Sequence, residues 1–335
     1  MASDSPAAAL GGVVIAGAGL IGASIAWRLA QCGVRVTLID AGTLGGETSS
    51  AGAGMLSPGG EFDQPSIWLD LGVESMRMYP AFVDELSAET GLPIDFGTCG
   101  CLQYTDQPDQ AAKRREFQSA AGISVQQTPD GLFYPEDGYV DPTHLLRALR
   151  EACHARGVEI VEQHPLAMVD STQYAALVIA AGAWSSQLQV THGGQPVPLP
   201  PVKPIKGHLI GFDLEPGTLG PMLRQGHTYV LQRSSGFTIA GSTEQDVGFD
   251  RSVDDSICED LHRRAAKLWP ALAKVAPSKC WVGFRPFSTV PRIGRMEGTN
   301  VWLAYGHYRN GILLAPVTAR RIAHEIAIQA REIAI

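Results

Sequence analysis

Residues 12–16 (GVVIA) form an apolar run of strand length, followed by a glycine-rich turn and then by residues 20–31, where apolar side chains recur at helical spacing until Gly33. Residues 34–40 (VRVTLID) predict a second strand that ends in a carboxylate. Strand, turn, helix and strand in this order open a nucleotide-binding parallel sheet. Residues 45–60, rich in Gly, Ser, Thr and Ala, follow neither period, and 67–91 return to helical spacing. Residues 93–140 alternate short strands and turns, with a charged helix near 111–121. Residues 142–156 predict a helix, with Asp141 as N-cap and Gly157 just past its end. Strands are predicted over 158–162 and 177–181, and the Pro- and Gly-rich residues 193–204 predict a crossing between domains. Residues 205–245 carry the alternation of an antiparallel sheet, 254–269 predict a helix, 300–304 a last strand and 311–333 a C-terminal helix. Residues 1–10 carry no such pattern and read as a disordered leader.

Nucleotide-type elements thus lie at both ends and in the middle, with antiparallel material in the two gaps. This predicts two discontinuous domains, one from residues 11–60, 141–192 and 297–335, the other from 61–140 and 193–296. The length of 335 residues agrees with two domains. Hydrophobic residues at 45% and charged residues at 18% exclude a mainly disordered chain. A net charge of -8 without a basic cluster argues against nucleic acid as a partner. The uncharged stretch 6–27 imitates a membrane span, but its glycines and its Asp4 flank argue for strand, turn and helix rather than a span or a signal peptide. The six cysteines, Cys32, Cys99, Cys101, Cys153, Cys258 and Cys280, include no CxxC pair. Neither a zinc site nor a disulfide framework is indicated, and a reducing cytoplasm is the expected compartment.

Gly17-Ala18-Gly19-Leu20-Ile21-Gly22 is a GxGxxG motif between a predicted strand and a predicted helix. Its first glycine permits the tight turn, the second lets backbone approach a pyrophosphate, and the third lets helix and strand pack closely. The helix N-terminus presents unpaired N–H groups and a positive dipole end to the phosphates. Asp40, 23 residues after Gly17, can accept hydrogen bonds from a ribose. The motif alone suits FAD and NAD equally. HExxH, GxSxG and P-loop motifs do not occur.

Several further segments, in order along nearly the whole chain, resemble the glycine oxidase branch of the D-amino acid oxidase family of FAD enzymes. They are TSSAGAGML at 48–56, YPEDGYVDP at 134–142, AAGAWS at 180–185, GSTE at 241–244, GFRP at 283–286 and GHYRNGILLAP at 306–316. The resemblance implies an α/β plus α+β fold: a Rossmann-like FAD-binding domain and a substrate domain built on a mainly antiparallel sheet. It implies FAD-dependent oxidative deamination of glycine, a small N-substituted glycine or a D-amino acid to the imino or oxo acid, with oxygen reduced to hydrogen peroxide. It also implies a place in thiamine thiazole biosynthesis and, in many members, a homo-oligomer. One departure is visible. Where the family carries an extra hairpin between residues 158 and 182, Glu162 here reaches Leu177 with little room for it.

For single residues the resemblance implies that Gly17, Gly19, Leu20, Ile21, Gly22 and Asp40 bind the dinucleotide. Thr48, Ser49 and Ser50 would meet phosphate or ribityl oxygens, while Gly52, Ala53, Gly54 and Met55 pass under the flavin and Met55 lines the substrate pocket. Leu166 would lend backbone to the adenine, and Ala181, Gly182 and Trp184 form a second FAD contact. Gly311, Ile312 and Leu313, opening the last helix, would point their N–H groups at the flavin pyrimidine, where a helix dipole stabilises negative charge. Arg285 would hold a substrate carboxylate through two parallel hydrogen bonds, with Tyr229 donating to the same group. Arg309 either holds substrate or orders its loop. His307 and Asn310 lie near the cofactor, His307 in a structural role. His227, on the same sheet face as Tyr229, is expected to pack near the flavin. Glu244 is expected to face solvent. Related sarcosine oxidases attach FAD through a cysteine near the position of Cys280, but noncovalent FAD is expected here.

A small amino acid or amine and oxygen are therefore the expected partners. The rival readings are a sarcosine-type amine oxidase, a quinone-coupled FAD dehydrogenase, a flavin-binding module without turnover and an NAD-dependent dehydrogenase.

Overall fold

The computed structural model describes residues 12–60, 65–105 and 107–333, so the predicted leader lies outside the described residues. Strand β1 (Val13–Ala16), helix α1 (Leu20–Gln31) and strand β2 (Val36–Ile39) form as the hydrophobic pattern requires. β1 and β2 are buried throughout, as expected of parallel strands covered on both faces. They sit in a six-stranded sheet whose order is Arg292–Arg295, Val301–Tyr305, Ala176–Ile179, β1, β2 and Glu159–Val161. All pairings are parallel except that of the Arg292–Arg295 edge. The strand order reverses at β1, which places a switch point between β1 and Ala176–Ile179, and open α/β sheets bind ligands beyond the carboxyl ends of strands at such a point. One face is covered by α1, Pro142–Ala155 and Ala315–Ile333, with Ile25, Trp27, Leu149 and Ile322 fully buried between them.

A second sheet has eight strands, in the order Lys279–Phe287, Lys203–Asp213, Phe237–Gly241, Thr228–Gln232, Met222–Gln225, Cys101–Tyr104, Gly131–Tyr134 and Gln126–Thr128. It is antiparallel apart from the pairing of Met222–Gln225 with Cys101–Tyr104. Helix Asp255–Leu268, capped by Asp254, packs Leu261 and Ala265 against it.

Three local readings differ from the pattern. Residues 193–204 are not only a crossing, because Gln195–Val197 pairs antiparallel with Gln189–His192, which in turn runs parallel to Met168–Asp170. This three-stranded sheet occupies the region where the hairpin was absent, and two of its strands follow Gly182. The last helix starts at Ala315 rather than at 311, because Pro316 favours the first helical turn and residues 311–314 close a tighter turn ahead of it. Cys258 and Cys280 form a disulfide with Cα atoms 6.5 Å apart, although their spacing carried no signal of it.

Asp141 joins the two sheets. It caps Pro142–Ala155 by accepting from Thr143 N–H at 2.8 Å, and it accepts from Arg233 Nη1 at 2.7 Å with both side chains buried. Arg233 also donates to the carbonyl of Ala53. Burial pushes the Arg233 guanidinium below its ordinary value, against the pull of Asp141. Asp141→Ala removes cap and counter-ion together and leaves a buried charge, so urea unfolding is expected to show a loss of about 3–5 kcal/mol. A loss under about 1 kcal/mol would mean that the pair behaves like an exposed one.

Candidate functional site

A cavity of about 670 Å³ opens at the carboxyl ends of β1, β2, Ala176–Ile179 and Val301–Tyr305 and runs to the face of the eight-stranded sheet. That volume lies within the usual range of ligand sites. At one end the backbone turns at Gly17, whose φ of 109° suits glycine. A Cβ on Gly17 would stand 2.5 Å from the carbonyl of Ala180, and one on Gly22 would stand 1.9 Å from the oxygen of Gly17. The turn is therefore as tight as backbone allows, and Gly22 serves it from behind the cavity wall. The α1 N-terminus has no cap from its own side chains and no acid in its first turn. Leu20 N–H donates to Ser49 Oγ at 2.9 Å, which ties the turn to the 45–56 segment. Asp40 accepts from Ala18 N–H and Gly42 N–H, each at 2.7 Å. A carboxylate has about four acceptor positions, so capacity remains for a ribose hydroxyl.

The cavity wall includes Gly19, Leu20, Ile21, Thr48, Ser49, Gly52, Ala53, Gly54, Met55, Leu166, Ala181, Gly182 and Trp184 of the expected set. Ser50 is not brought to it: its side chain is exposed and its hydroxyl donates to the carbonyl of Glu47. Thr48 lines the wall, but its hydroxyl donates to the carbonyl of Phe284 at 2.7 Å and so holds the loop against the second sheet. Trp184 stacks on Phe249 at 4.7 Å.

At the far end Arg285, Tyr229, His227, His307, Arg309, Asn310, Gly311, Ile312 and Leu313 line the same space. Arg285 is half-buried and donates from Nη1 to the carbonyl of Thr243 at 2.8 Å. Its guanidinium lies over Gly207, where a Cβ would come within 2.3 Å. Gly207 was missed in the sequence because nothing in KGHLI marks it as the floor beneath an arginine. Arg251, Arg224 and Ser242 also line the cavity and carried no motif. The 311–313 residues do so from the turn before the last helix, where Tyr79 donates to the carbonyl of Ile312.

Two expectations are corrected. Glu244 does not simply face solvent, because Arg309 Nη1 lies 3.0 Å from its Oε1. His227 is not packed inside, its side chain being 68% exposed, because it follows the turn at Gly226 that joins two strands. Cys280, paired with Cys258, has no thiol with which to anchor a cofactor.

Residues 12–325 match the family described as FAD dependent oxidoreductase. This chain belongs to that family. A glycine oxidase of Pseudomonas aeruginosa is 31% identical over 93% of this chain and 93% of its own. One of Bacillus subtilis is 28% identical over 92% and 91%. A bifunctional protein ThiO/ThiG of Synechocystis is 32% identical over 95% of this chain, which spans only 52% of that relative. The crystal structure of glycine oxidase from Geobacillus kaustophilus superposes with a TM-score of 0.85 at 28% identity, covering 94% of each chain.

The residues present fit the cofactor of this FAD dependent oxidoreductase family. The turn at Gly17, with no side chain to fill it, opens into the end of α1 whose first turn carries no acid, Asp40 stands beside it, and the cavity continues past Met55 to Arg285. FAD is held noncovalently. Among the described residues no helix is long and apolar enough to cross a membrane.

His307 is fully buried and its Nε2 lies 3.0 Å from Thr318 Oγ1, so it fastens the turn to the last helix. Burial of the ring pushes its pKa down from 6.5 to about 4. Between these values the unfolded chain takes up the proton more readily, so stability present above about 6.5 is lost as the pH falls toward 4. Urea unfolding should therefore weaken from pH 7 to pH 5, and His307→Gln should flatten that slope. An identical slope in both proteins would assign the acid sensitivity elsewhere.

Proposed function

We propose that this protein catalyses oxidative deamination of glycine, a small N-substituted glycine or a small D-amino acid. Amino acid, oxygen and water would give oxo acid, hydrogen peroxide and ammonia, or the amine of the nitrogen substituent where the substrate is N-substituted. The observation that carries this reading is Arg285: a half-buried guanidinium, floored by Gly207 and without a carboxylate partner among the described residues, in the same cavity as the glycine turn. The names of the relatives, glycine oxidases that match over nine-tenths of the chain, support it. The bifunctional relative supports a supply role in thiamine thiazole formation. The two discontinuous domains and a cytoplasmic setting belong to the same proposal.

The chemistry that FAD supplies is acceptance of the hydride equivalent lost from the substrate α-carbon and its return to oxygen. Arg285 would fork onto the substrate carboxylate, and the Tyr229 phenol would donate to the same group. Two fixed contacts on the carboxylate of so small a molecule set where its α-carbon sits. The substrate nitrogen must be neutral for its lone pair to assist loss of hydride. At this end of the cavity neither histidine is a buried base: His307 is neutral and committed to Thr318, and His227 is exposed beside Arg309. The amine would then be bound already deprotonated, as the free base in solution.

A peroxide assay over glycine, sarcosine, D-alanine and D-proline tests the reading, and absence of peroxide with all four would sink it. Arg285→Ala is expected to lower kcat/KM by at least about a hundredfold. Wild-type kcat/KM for glycine should rise with pH as the free amine becomes more abundant, and a flat profile would contradict binding of the neutral amine.

A further inference from the structure

Of the four arginines that line the cavity, Arg251 is paired with Glu47 and Arg224 is buried in the sheet, while Arg285 and Arg309 are in different electrostatic states. Arg285 bonds to a backbone carbonyl and keeps its charge for a ligand. Arg309 is held by Glu244 at 3.0 Å, and His227 Nδ1 lies 3.4 Å from Arg309 Nη1 and 4.0 Å from Glu244 Oε1. Tyr308 borders the same cluster, and burial together with the Glu244 carboxylate pushes its phenol up to about 12. Glu244 is only about one-third exposed, so its charge is incompletely screened by water. It stands behind the cavity wall and acts on the cavity through Arg309.

We propose that Glu244 is a positioning residue that sets the substrate class: paired with Arg309, it leaves Arg285 as the anchor for a substrate carboxylate, so the site accepts amino acids with a single carboxylate and rejects those with a second. A second carboxylate, on the nitrogen substituent or on the side chain, reaches Arg309 only by displacing Glu244. The displaced carboxylate then faces a like charge with no cation of its own. Rejection by an unpaired or like charge is a common source of specificity. This inference rests on the oxidase reading, and its test has an arm that does not.

Sarcosine and iminodiacetate differ only in that the N-methyl of the first carries a carboxylate in the second. The holoenzyme is expected to prefer sarcosine. In Glu244→Gln the ratio of kcat/KM for iminodiacetate to that for sarcosine should rise by about tenfold or more, chiefly through KM of iminodiacetate. Glu244→Asp, which keeps the charge, should restore the wild-type ratio, and adding Arg309→Met to Glu244→Gln should abolish the gain. A change within about twofold in Glu244→Gln overturns the proposal. So does a Glu244→Asp that behaves like the glutamine variant, or a KM for sarcosine raised as much as that for iminodiacetate is lowered, which would make Glu244 a partner of the substrate ammonium. Calorimetric titration of the holoenzyme with malonate and with acetate gives an arm independent of turnover. Malonate should bind Glu244→Gln about tenfold tighter than wild type while acetate binds both alike. If no amino acid is oxidised, the oxidase reading fails and this titration still decides the role of Glu244.

Discussion

The 45–56 segment carries few side chains that can enter a core, so its buried backbone and polar groups must find partners, and that requirement ties the two sheets together. Gly45 N–H donates to the carbonyl of Ala18 and Ser49 accepts from Leu20 N–H, which bind the segment to the glycine turn. From the other side Thr48 donates to Phe284, while Trp281 Nε1 and Arg233 donate to the carbonyls of Ala51 and Ala53. Val140 N–H then closes on the oxygen of Gly54. Each of these bonds is worth only about 0.5–1.5 kcal/mol net, but an unmade one in a buried place costs more than a made one gains. The segment is thereby held from both sheets, and the cavity between them has a fixed wall.

Within that wall the chemistry is carried less by unusual side chains than by the state in which each is held. The same residue type occurs twice near the substrate end, and its surroundings divide the labour: Arg285 lies over a glycine with a carbonyl at its edge, and Arg309 is matched to a carboxylate. His307 likewise does its work as a neutral ring that fastens a turn, and it is unsuited to moving protons. A pocket for a small substrate gains selectivity from such pairings, because few contacts are available to distinguish one amino acid from another.

How much of this could be read from the sequence depended on the distance over which each signal acts. The β1–α1–β2 unit was legible because strand, glycine turn and helix are contiguous and each is dictated by its own few residues. The helix start at Asp141 was legible for the same reason, since a cap bonds two or three residues ahead. The start of the last helix was misplaced because Leu313 and Leu314 continue, upstream of Pro316, the apolar spacing that Val317 carries inside the helix, and spacing alone does not reveal where helical bonding begins. Glu244 and Arg309 lie 65 residues apart, and Cys258 and Cys280 22 apart, with no motif to link them. Ser50 was read with its neighbours as a cofactor contact because one helical turn aims adjacent side chains in different directions, which composition does not show.

The order of strands in the parallel sheet also bears on how the protein is made. The neighbours of β1 are Val36–Ile39 and Ala176–Ile179, and the latter is flanked in turn by Val301–Tyr305. A ribosome delivers those partners in widely separated instalments. Until Val301–Tyr305 has left the exit tunnel, the apolar edge of Leu177 and Ile179 has no neighbour and the nucleotide crevice lacks one bank. Long-range parallel pairing is slow and leaves sticky edges exposed in the interval. During synthesis that waiting edge is therefore the part of the sheet open longest to association with another chain.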